Sequence, residues 1–191
     1  IILAVLLITV FAALPAGAAG EGAALQAGGD RLVAKQGADG GWGWPLDAPP
    51  TYNNTLAPIA MGLAQAYKFS NDPAMLTALR NAGSKLLAKT NNFSPPDGYL
   101  AVQLDRIFGG TIYRDHVWNN FYAPLAAGTY NRNGAGPLYS TTTYVALIIT
   151  NRGAGQKNLA TWDIGMGLVA AASMGASTSE WVAGVKTTIN T

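Results

Sequence analysis

The sequence predicts an all-α protein built from repeated helical hairpins. Three observations support this prediction. Apolar residues recur at three- and four-residue spacing in several long segments, which is typical of a helix with one buried face. Two sequence patterns occur more than once along the chain. Only residues 141–150, "TTTYVALIIT", are rich enough in β-branched residues to favour a strand as the alternative.

Two interleaved repeats define two helix types. "GGDRLVAK" at 28–35 matches "AGSKLLAK" at 82–89. "YNNTLAPIAMG" at 52–62 matches "WNNFYAPLAAG" at 118–128, and "MGLVAA" at 166–171 resembles the end of the first of these copies. Since each unit of such a repeat stacks on its neighbours, we expect the two helix types to alternate with a period of about fifty residues.

The first repeated element predicts a helix over 53–68. Its apolar face comprises Leu56, Ile59, Leu63 and Tyr67. Asn54 or Thr55 is expected to cap its start. Pro58 would then lie in or near the first turn, where a missing N–H costs little.

The other repeated element predicts a helix over 72–89. Asp72 is the expected N-cap, and Pro73 follows at the first helical position, where its fixed φ suits a helix. The apolar residues Met75, Leu79, Ala82, Leu86 and Leu87 keep the helical period. The pattern therefore predicts both the start and the buried face of this helix.

Residues 177–190 predict the last helix of the chain. Ser177 and Glu180 have the spacing of a capping box, and Ser179 is an alternative cap. Either cap would satisfy backbone N–H groups that have no partner in the first turn.

The glycine-rich stretch "KQGADGGWGW" at 35–44 predicts a tight turn between two helices. Asp-Gly supplies a turn in which Gly40 takes a positive φ. Trp42 is expected to cover the helix ends, and the Gln36 amide to bond the free backbone groups there. A phosphate-binding loop would require a preceding strand and a Walker lysine, and this stretch has neither.

Gln36, Asp39, Gly40, Gly41 and Trp42 resemble the QW-type motif of the terpenoid cyclase and protein prenyltransferase superfamily. The resemblance implies an α/α toroid, in which an outer ring of helices surrounds an inner ring. It covers most of the chain after the N-terminal apolar segment. The hairpins visible here number fewer than the six of a closed toroid, so the resemblance implies an incomplete ring that the remainder of a longer chain completes.

The resemblance also assigns the helices to the two rings. It implies inner helices at 53–68, 118–130 and 158–173. It implies outer helices at 20–35, 72–89, 137–150 and 177–190. Residues 98–112, "GYLAVQLDRIFGGTI", would be an insertion between an outer helix and the second inner helix.

The first eighteen residues predict a signal peptide that is truncated at its start. Residues 1–15 carry no charge, and Ala16-Gly17-Ala18 fits the A-x-A pattern of a signal-peptidase site. We therefore expect a secreted or periplasmic domain over 19–191 that continues beyond the chain end. An N-terminal membrane anchor is the alternative, since the apolar run approaches the ~20 residues needed to span a bilayer.

Composition excludes several classes of function. The 191 residues include 12 Lys and Arg against 10 Asp and Glu, without a basic stripe, so nothing indicates a nucleic-acid partner. The chain has no cysteine and one histidine, His116, which excludes Cys-ligated zinc and a multi-His metal site. We expect neither a metal nor a cofactor.

The catalytic residues of the superfamily are not seen in this sequence. It has no Asp-x-Asp-Asp cluster of the cyclase type, and without cysteine it cannot supply the zinc ligands of prenyltransferases or the thioester of complement-like domains. The preferred interpretation is therefore a ligand-binding or scaffold domain of this superfamily, with a carbohydrate or a polyisoprenoid as the possible ligand.

The alternative is an extracellular polysaccharide lyase or another carbohydrate-active toroid enzyme. "YRDHVWNNFY" at 113–122 contains Arg114, His116 and Tyr122, residue types that toroidal lyases use to neutralise a uronate and to move its proton. Asn119 and Asn120 would bind the ligand or, since they repeat an Asn pair at the start of the 53–68 helix, would cap a helix. In alginate-type lyases a His follows the Asn pair, but Phe121 stands there.

Asp163 and a set of aromatic residues complete the predicted site. In a toroid, Asp163 would project toward the ring interior, where it would act as a general acid, a cap or an arginine partner. The aromatic residues fall near the entries of the inner helices, where they would line one rim of a cavity or pack in the core. They are Trp44, Tyr52, Trp118, Tyr122 and Trp162.

Overall fold

The computed structural model describes residues 16–48 and 51–190. Most of the predicted signal peptide lies outside these residues, and only 16–18 are described, as the first residues of a helix. The helices are α1 Ala16–Ala34, α2 Asn53–Ser70, α3 Pro73–Leu87, α4 Pro95–Phe108, α5 Ile112–Val117, α6 Ala123–Ala126, α7 Thr141–Arg152, α8 Lys157–Met174 and α9 Ser179–Ile189. A π-helical turn, Trp118–Tyr122, joins α5 to α6, and a 3-10 turn, Ala154–Gln156, precedes α8.

The predicted all-α class is confirmed. The β structure of the described residues is limited to a two-stranded antiparallel hairpin and one isolated bridge. The hairpin pairs β1, Tyr130–Asn131, with β2, Leu138–Tyr139, and the bridge joins Gly43 to Thr51. Residues 141–150 form most of α7, so the helical alternative is the one that the structure adopts there.

Helix α4 lies at the centre of the packing. It contacts α2, α3, α5 and α8, while α1 packs outside α2 and α3, and α9 packs against α7 and α8. Gly98 of α4 lets it approach its neighbours closely, because a Cβ there would lie 2.6 Å from the Tyr122 hydroxyl and 3.0 Å from Cβ of Ala170. Among the described helices, the core is thus organised around one that contacts four of the other eight.

The position of α4 corrects the prediction of an insertion at 98–112. Residues 98–105 are buried apart from the half-buried Tyr99, so the segment belongs to the core. Polar residues are buried in this helix together with apolar ones, namely Asp97, Gln103 and Asp105, so its sequence does not stand out as that of a core helix.

The predicted inner helix 118–130 is also wrong in its bounds. The helical run starts at Ile112 and ends at Ala126, and Tyr130 already belongs to β1. Residues 118–122 form the π turn, in which the Ala123 N–H donates to the Trp118 carbonyl. Pro124 follows at once, and because it has no N–H it cannot donate to the Asn120 carbonyl.

Several predicted caps are wrong as well. Asn119 and Asn120 lie in the middle of a helical run and cap nothing; the Asn120 amide donates to the His116 carbonyl at 2.8 Å. At the start of α2, Thr55 donates to backbone carbonyls instead of accepting from an N–H, and Asn54 makes no cap bond. In α9, the N-cap residue is Thr178 and makes no side-chain cap bond.

The predicted start of α3 is confirmed, whereas that of α7 is not. Asp72 caps α3 by accepting from the Ala74 N–H at 2.7 Å, with Pro73 at the first helical position. Helix α7 begins at Thr141, four residues later than the predicted 137, because residues 138–139 form β2. Its start has a capping box made by Ser140 and Thr143.

The predicted turn at 36–44 has the expected geometry. Gly40 has a φ of 81°, and the fully buried Trp42 donates its indole N–H to the Leu32 carbonyl, near the end of α1, at 2.8 Å. The Gln36 amide donates to the carbonyls of Gly40 and Ala78. Ala78 lies in the middle of α3, so Gln36 joins the turn to a neighbouring helix instead of completing a helix end.

Candidate functional site

A cavity of about 360 Å³ lies at one end of the helical core. Four helices meet there: the amino-terminal parts of α2, α4 and α8, and α7 from Tyr144 to its end. Its lining residues are Asn54, Pro58, Ser94, Pro95, Pro96, Arg132, Tyr144, Leu147, Ile148, Asn151, Arg152, Trp162 and Asp163. We call this cavity the amino-end pocket.

One wall of the amino-end pocket carries an ion pair. The Arg152 guanidinium donates from Nε at 3.0 Å and from Nη2 at 2.6 Å, both to Oδ2 of Asp163. The Asp163 side chain is 11% exposed, and its burial raises the pKa of the carboxyl group above the ordinary value, against the lowering effect of Arg152. Asp163 therefore has the arginine partner that was one of its predicted alternatives.

A second arginine, Arg132, follows strand β1 and lines the same pocket. Its Nε donates to Oδ1 of Asn92 at 3.2 Å, and its carbonyl accepts from the Asn92 N–H at 2.7 Å. Within residues 16–48 and 51–190, no carboxylate lies within 4.0 Å of this guanidinium. Arg132 therefore differs from Arg152, whose charge is matched by Asp163.

Trp162 supplies an accessible aromatic surface beside these charges. It lies in the second turn of α8, lines the pocket and is 38% exposed. Tyr144 is buried, and its hydroxyl donates to the Phe93 carbonyl at 2.8 Å. Trp162 thus adds accessible surface to the pocket, whereas the hydroxyl of Tyr144 is held by the protein.

The wall formed by α2 has a gap in its helical hydrogen bonding. Pro58 has no N–H, so it cannot donate to the carbonyl of Asn54 one turn earlier. Both residues line the pocket and are exposed. The amide and carbonyl of Asn54 therefore add polar groups to this wall.

The three residues predicted for lyase chemistry have separate partners. The Tyr122 hydroxyl is buried and donates to the Gly167 carbonyl at 3.3 Å. His116 Nε2 lies 2.8 Å from the Lys89 carbonyl, and Arg114 Nε donates to Asp105 at 2.9 Å. Burial raises the pKa of Tyr122 well above its ordinary value, which does not suit a group that must release or accept a proton near neutral pH.

The remaining predicted ligand residues lie apart from the amino-end pocket, with Trp162 as the exception. Trp118 lies beside Arg114 in a shallow pocket of about 270 Å³. Asn119 is exposed, and Asn120 bonds within its own helix. Trp44 and Tyr52 are 71% and 43% exposed, at the loop before α2.

Sequence reasoning missed the two arginines of the pocket. Each follows an asparagine at the end of a structural element, in Asn131-Arg132 and Asn151-Arg152. A dipeptide this common predicts no site. The buried ion pair of Lys89 and Asp97 was missed too, although the repeat had marked Lys89 as a recurring lysine.

Comparison with protein-family models, with curated proteins and with solved structures found no match for this chain. Within the described ranges, no group of three or more His, Cys, Asp or Glu side chains could hold a metal ion. Across the same ranges, no helix combines the length and the apolar character that a membrane crossing requires. Function therefore has to be argued from the amino-end pocket.

Proposed function

We propose that this chain is a non-catalytic binding domain that holds a carbohydrate in the amino-end pocket. The observation that carries the proposal is the partly exposed Trp162 in a cavity that Arg132, Arg152 and Asp163 also line. Sugar rings have apolar faces that stack on aromatic side chains and hydroxyl groups that need fixed polar partners. Ligand pockets commonly combine an apolar surface with a small number of convergent polar groups in this way.

Binding is favoured over lyase chemistry by the contacts of the predicted catalytic residues. The Tyr122 hydroxyl is buried against Gly167, and Arg114 is paired with Asp105. A β-elimination needs a base and an acid within hydrogen-bond reach of one substrate carbon and one leaving oxygen. Separate protein partners for these groups do not support that chemistry.

A carbohydrate is favoured over a polyisoprenoid by the lining of the pocket. A hydrocarbon chain gains from burial against apolar surface, and each unpaired polar group that it covers costs free energy. The lining includes two arginines, one carboxylate, two asparagines and a serine. A polyhydroxylated ligand can form hydrogen bonds with these groups, whereas an isoprenoid would cover them without forming any.

The arrangement of the helices supports an α/α-toroid type of architecture for this domain. α2 contacts α4, which contacts α8, and α1 and α3 contact each other and α2. The series α2, α4 and α8 would correspond to part of an inner ring. The A-x-A pattern at 16–18 supports the accompanying proposal that the domain works in the secreted or periplasmic space, where polysaccharides occur.

The proposal is tested by affinity electrophoresis through gels that contain single polysaccharides. We expect retardation by at least one member of a panel of neutral glucan, galactomannan and polygalacturonate. Trp162→Ala should weaken that binding about ten-fold or more, as expected for loss of a central aromatic contact. Phe69→Ala is the matched control, because Phe69 is a 59% exposed aromatic residue at the other end of α2.

Two results would contradict the proposal. One is migration that none of the polysaccharides changes, although the protein is folded by circular dichroism. The other is retardation that Trp162→Ala leaves as strong as in the unmodified protein. Equal loss in Trp162→Ala and Phe69→Ala would indicate a general effect of the substitutions and would also remove the support for this pocket.

A further inference from the structure

We propose that the amino-end pocket selects acidic sugars, with Arg132 as the residue that binds their negative charge. This inference rests on the proposed carbohydrate-binding function and adds the chemical class of the ligand. An acidic sugar combines ring hydroxyls with a carboxylate or a sulfate ester. Either group presents oxyanion oxygens that a guanidinium can bind with two parallel N–H groups.

The charges that line the pocket leave one positive charge without a counter-charge. The residues that line the pocket include two arginines, Arg132 and Arg152, and a single carboxylate residue, Asp163. Arg152 directs both Nε and Nη2 to Asp163 and lies 2.6 Å from it at the nearest atoms. The excess charge therefore resides on Arg132.

The Arg132 guanidinium is oriented before any ligand arrives. Nε donates to Asn92, and the Asn92 N–H in turn donates to the Arg132 carbonyl, so two bonds connect the same pair of residues. Among the described residues, the two terminal nitrogens of Arg132 have no hydrogen-bond acceptor. These are the nitrogens that form a two-pronged contact with an oxyanion.

The surroundings of Arg132 leave such a contact accessible to a ligand. The residue is half-buried, and its hydrogen bond with Asn92 is exposed, so a ligand can reach the guanidinium. Trp162 lines the same cavity, so a sugar ring stacked there would carry its acidic group within the pocket that also holds the guanidinium. A neutral sugar would leave the guanidinium without an ionic partner, which favours the acidic ligand.

The test compares each acidic ligand with its own neutral form by isothermal titration calorimetry. The ligands are oligogalacturonate and its methyl ester, and a sulfated galactan oligosaccharide and its desulfated form. We expect the unmodified protein to bind a charged form about ten-fold or more tightly than its neutral form, as a charge-assisted hydrogen bond predicts. Preference for oligogalacturonate would assign a carboxylate, and preference for the sulfated galactan would assign a sulfate ester.

Arg132→Gln should remove this preference, so that the charged form and its neutral form bind with similar affinity. The matched control is Arg106→Gln, because Arg106 is an exposed arginine in the last turn of α4, away from the pocket. An unmodified protein that binds each neutral form as tightly as the corresponding charged form would overturn the inference. An Arg132→Gln variant that keeps the full preference would overturn it too.

Failure of this inference can be distinguished from failure of the proposed function. Equal binding of charged and neutral sugars, lost in Trp162→Ala, would leave the carbohydrate-binding domain in place and remove only the selectivity. Absence of binding to any sugar would contradict the proposed function itself.

Discussion

The ammonium group of Lys89 lies 2.6 Å from Oδ2 of Asp97, and the two side chains are 4% and 0% exposed. The Ser94 N–H donates to the same carboxylate oxygen at 2.7 Å. The other oxygen, Oδ1, is buried and has no hydrogen-bond partner among the described residues. This ion pair ties the end of α3 to the first turn of α4, the central helix of the core.

Lys89→Met is expected to lower the free energy of unfolding by about 3–5 kcal/mol, because Asp97 would remain buried without its counter-charge. Urea denaturation monitored by circular dichroism measures the loss. Lys35→Met is the control, since Lys35 pairs with Asp47 at 2.5 Å with side chains that are 42% and 55% exposed. Exposed ion pairs contribute little to the free energy of unfolding, so the urea midpoint of Lys35→Met should hardly change. Similar losses in the two variants would contradict this account of Lys89.

Gly40→Ala is expected to destabilise the protein by about 3 kcal/mol or more, because it combines an unfavourable φ with a steric clash. The φ of Gly40 is 81°, and an added Cβ would lie 2.3 Å from the Asn81 carbonyl oxygen. Gly175→Ala separates the two effects, since Gly175 has a φ of 76° but no atom within 4 Å of such a Cβ. Gly175→Ala should lower the free energy of unfolding by only about 1–2 kcal/mol, because it has the unfavourable φ without the steric clash. Thermal unfolding of both variants checks the difference.

Asp39 is expected to make the stability fall between about pH 4 and pH 2. Partial burial raises the pKa of this carboxyl group, but hydrogen bonds from Lys85, Thr51 and the Gly41 N–H outweigh that effect and lower the pKa to about 2. A carboxyl group with a depressed pKa in the folded state stabilises it above the unfolded value, 3.8, and this stabilisation is lost as the pH falls through about 2. Because half of the Asp39 side chain is exposed, screening reduces the size of the effect.

The measurement for Asp39 is the melting temperature as a function of pH in the unmodified protein and in Asp39→Asn. The variant should be less stable at neutral pH, and the gap between the two curves should close as the pH approaches 2. A gap that stays constant over this range would show that the ionisation of Asp39 does not contribute to stability.

Three tyrosines are expected to stay protonated until the protein unfolds in alkali. Burial raises the pKa of Tyr122, Tyr130 and Tyr144 above the ordinary value of 10.0. Since the unfolded chain loses these protons at lower pH than the folded chain, stability should decrease as the pH rises above about 10.

An ultraviolet difference titration counts the tyrosines that ionise before the circular dichroism signal is lost. Of the eight tyrosines of the chain, at least these three should ionise only with unfolding. Tyr144→Phe should reduce that late group by one. Ionisation of all eight tyrosines in the folded protein would contradict the burial of the hydroxyl groups of Tyr122, Tyr130 and Tyr144.

Local sequence was sufficient for the elements whose physical cause is local. Helix α3 has its cap at Asp72 and its buried face at Met75, Leu79, Ala82 and Leu86, as the pattern predicted. The turn at 36–42 follows from Asp-Gly and from one indole that reaches a helix end. In both cases the contacts that determine the local structure join residues close together along the chain, or residues spaced by the period of one helix.

Identical sequence was not sufficient where the context differs. The Asn-Asn-x-x-Ala-Pro pattern opens α2 at Asn53, but at Asn119 it lies inside a helical run that begins at Ile112. An asparagine pair can cap a helix only if the helix starts there, and that depends on residues upstream of the pattern. The repeat therefore located a helix correctly and misplaced its beginning.

The candidate site was predictable only in part. Trp162 and Asp163 were among the predicted residues because they belong to a recognisable helix, whereas Arg132 and Arg152 carried no signal. The pocket joins α2, α4, α7, α8 and the residue after β1, segments far apart along the chain. Which of them meet depends on the packing of whole helices, which no local pattern specifies.

Helical content, the turn at 36–42 and the start of α3 thus follow from propensity, periodicity and turn chemistry within short stretches of this chain. The central position of α4, the buried pair Lys89–Asp97 and the charge balance of the amino-end pocket arise from contacts between distant segments. The physical reason is that the burial and the ionic partner of a side chain depend on which residues surround it in the folded protein. The side chain of Lys35 is exposed to solvent, whereas that of Lys89, the same residue type, is buried.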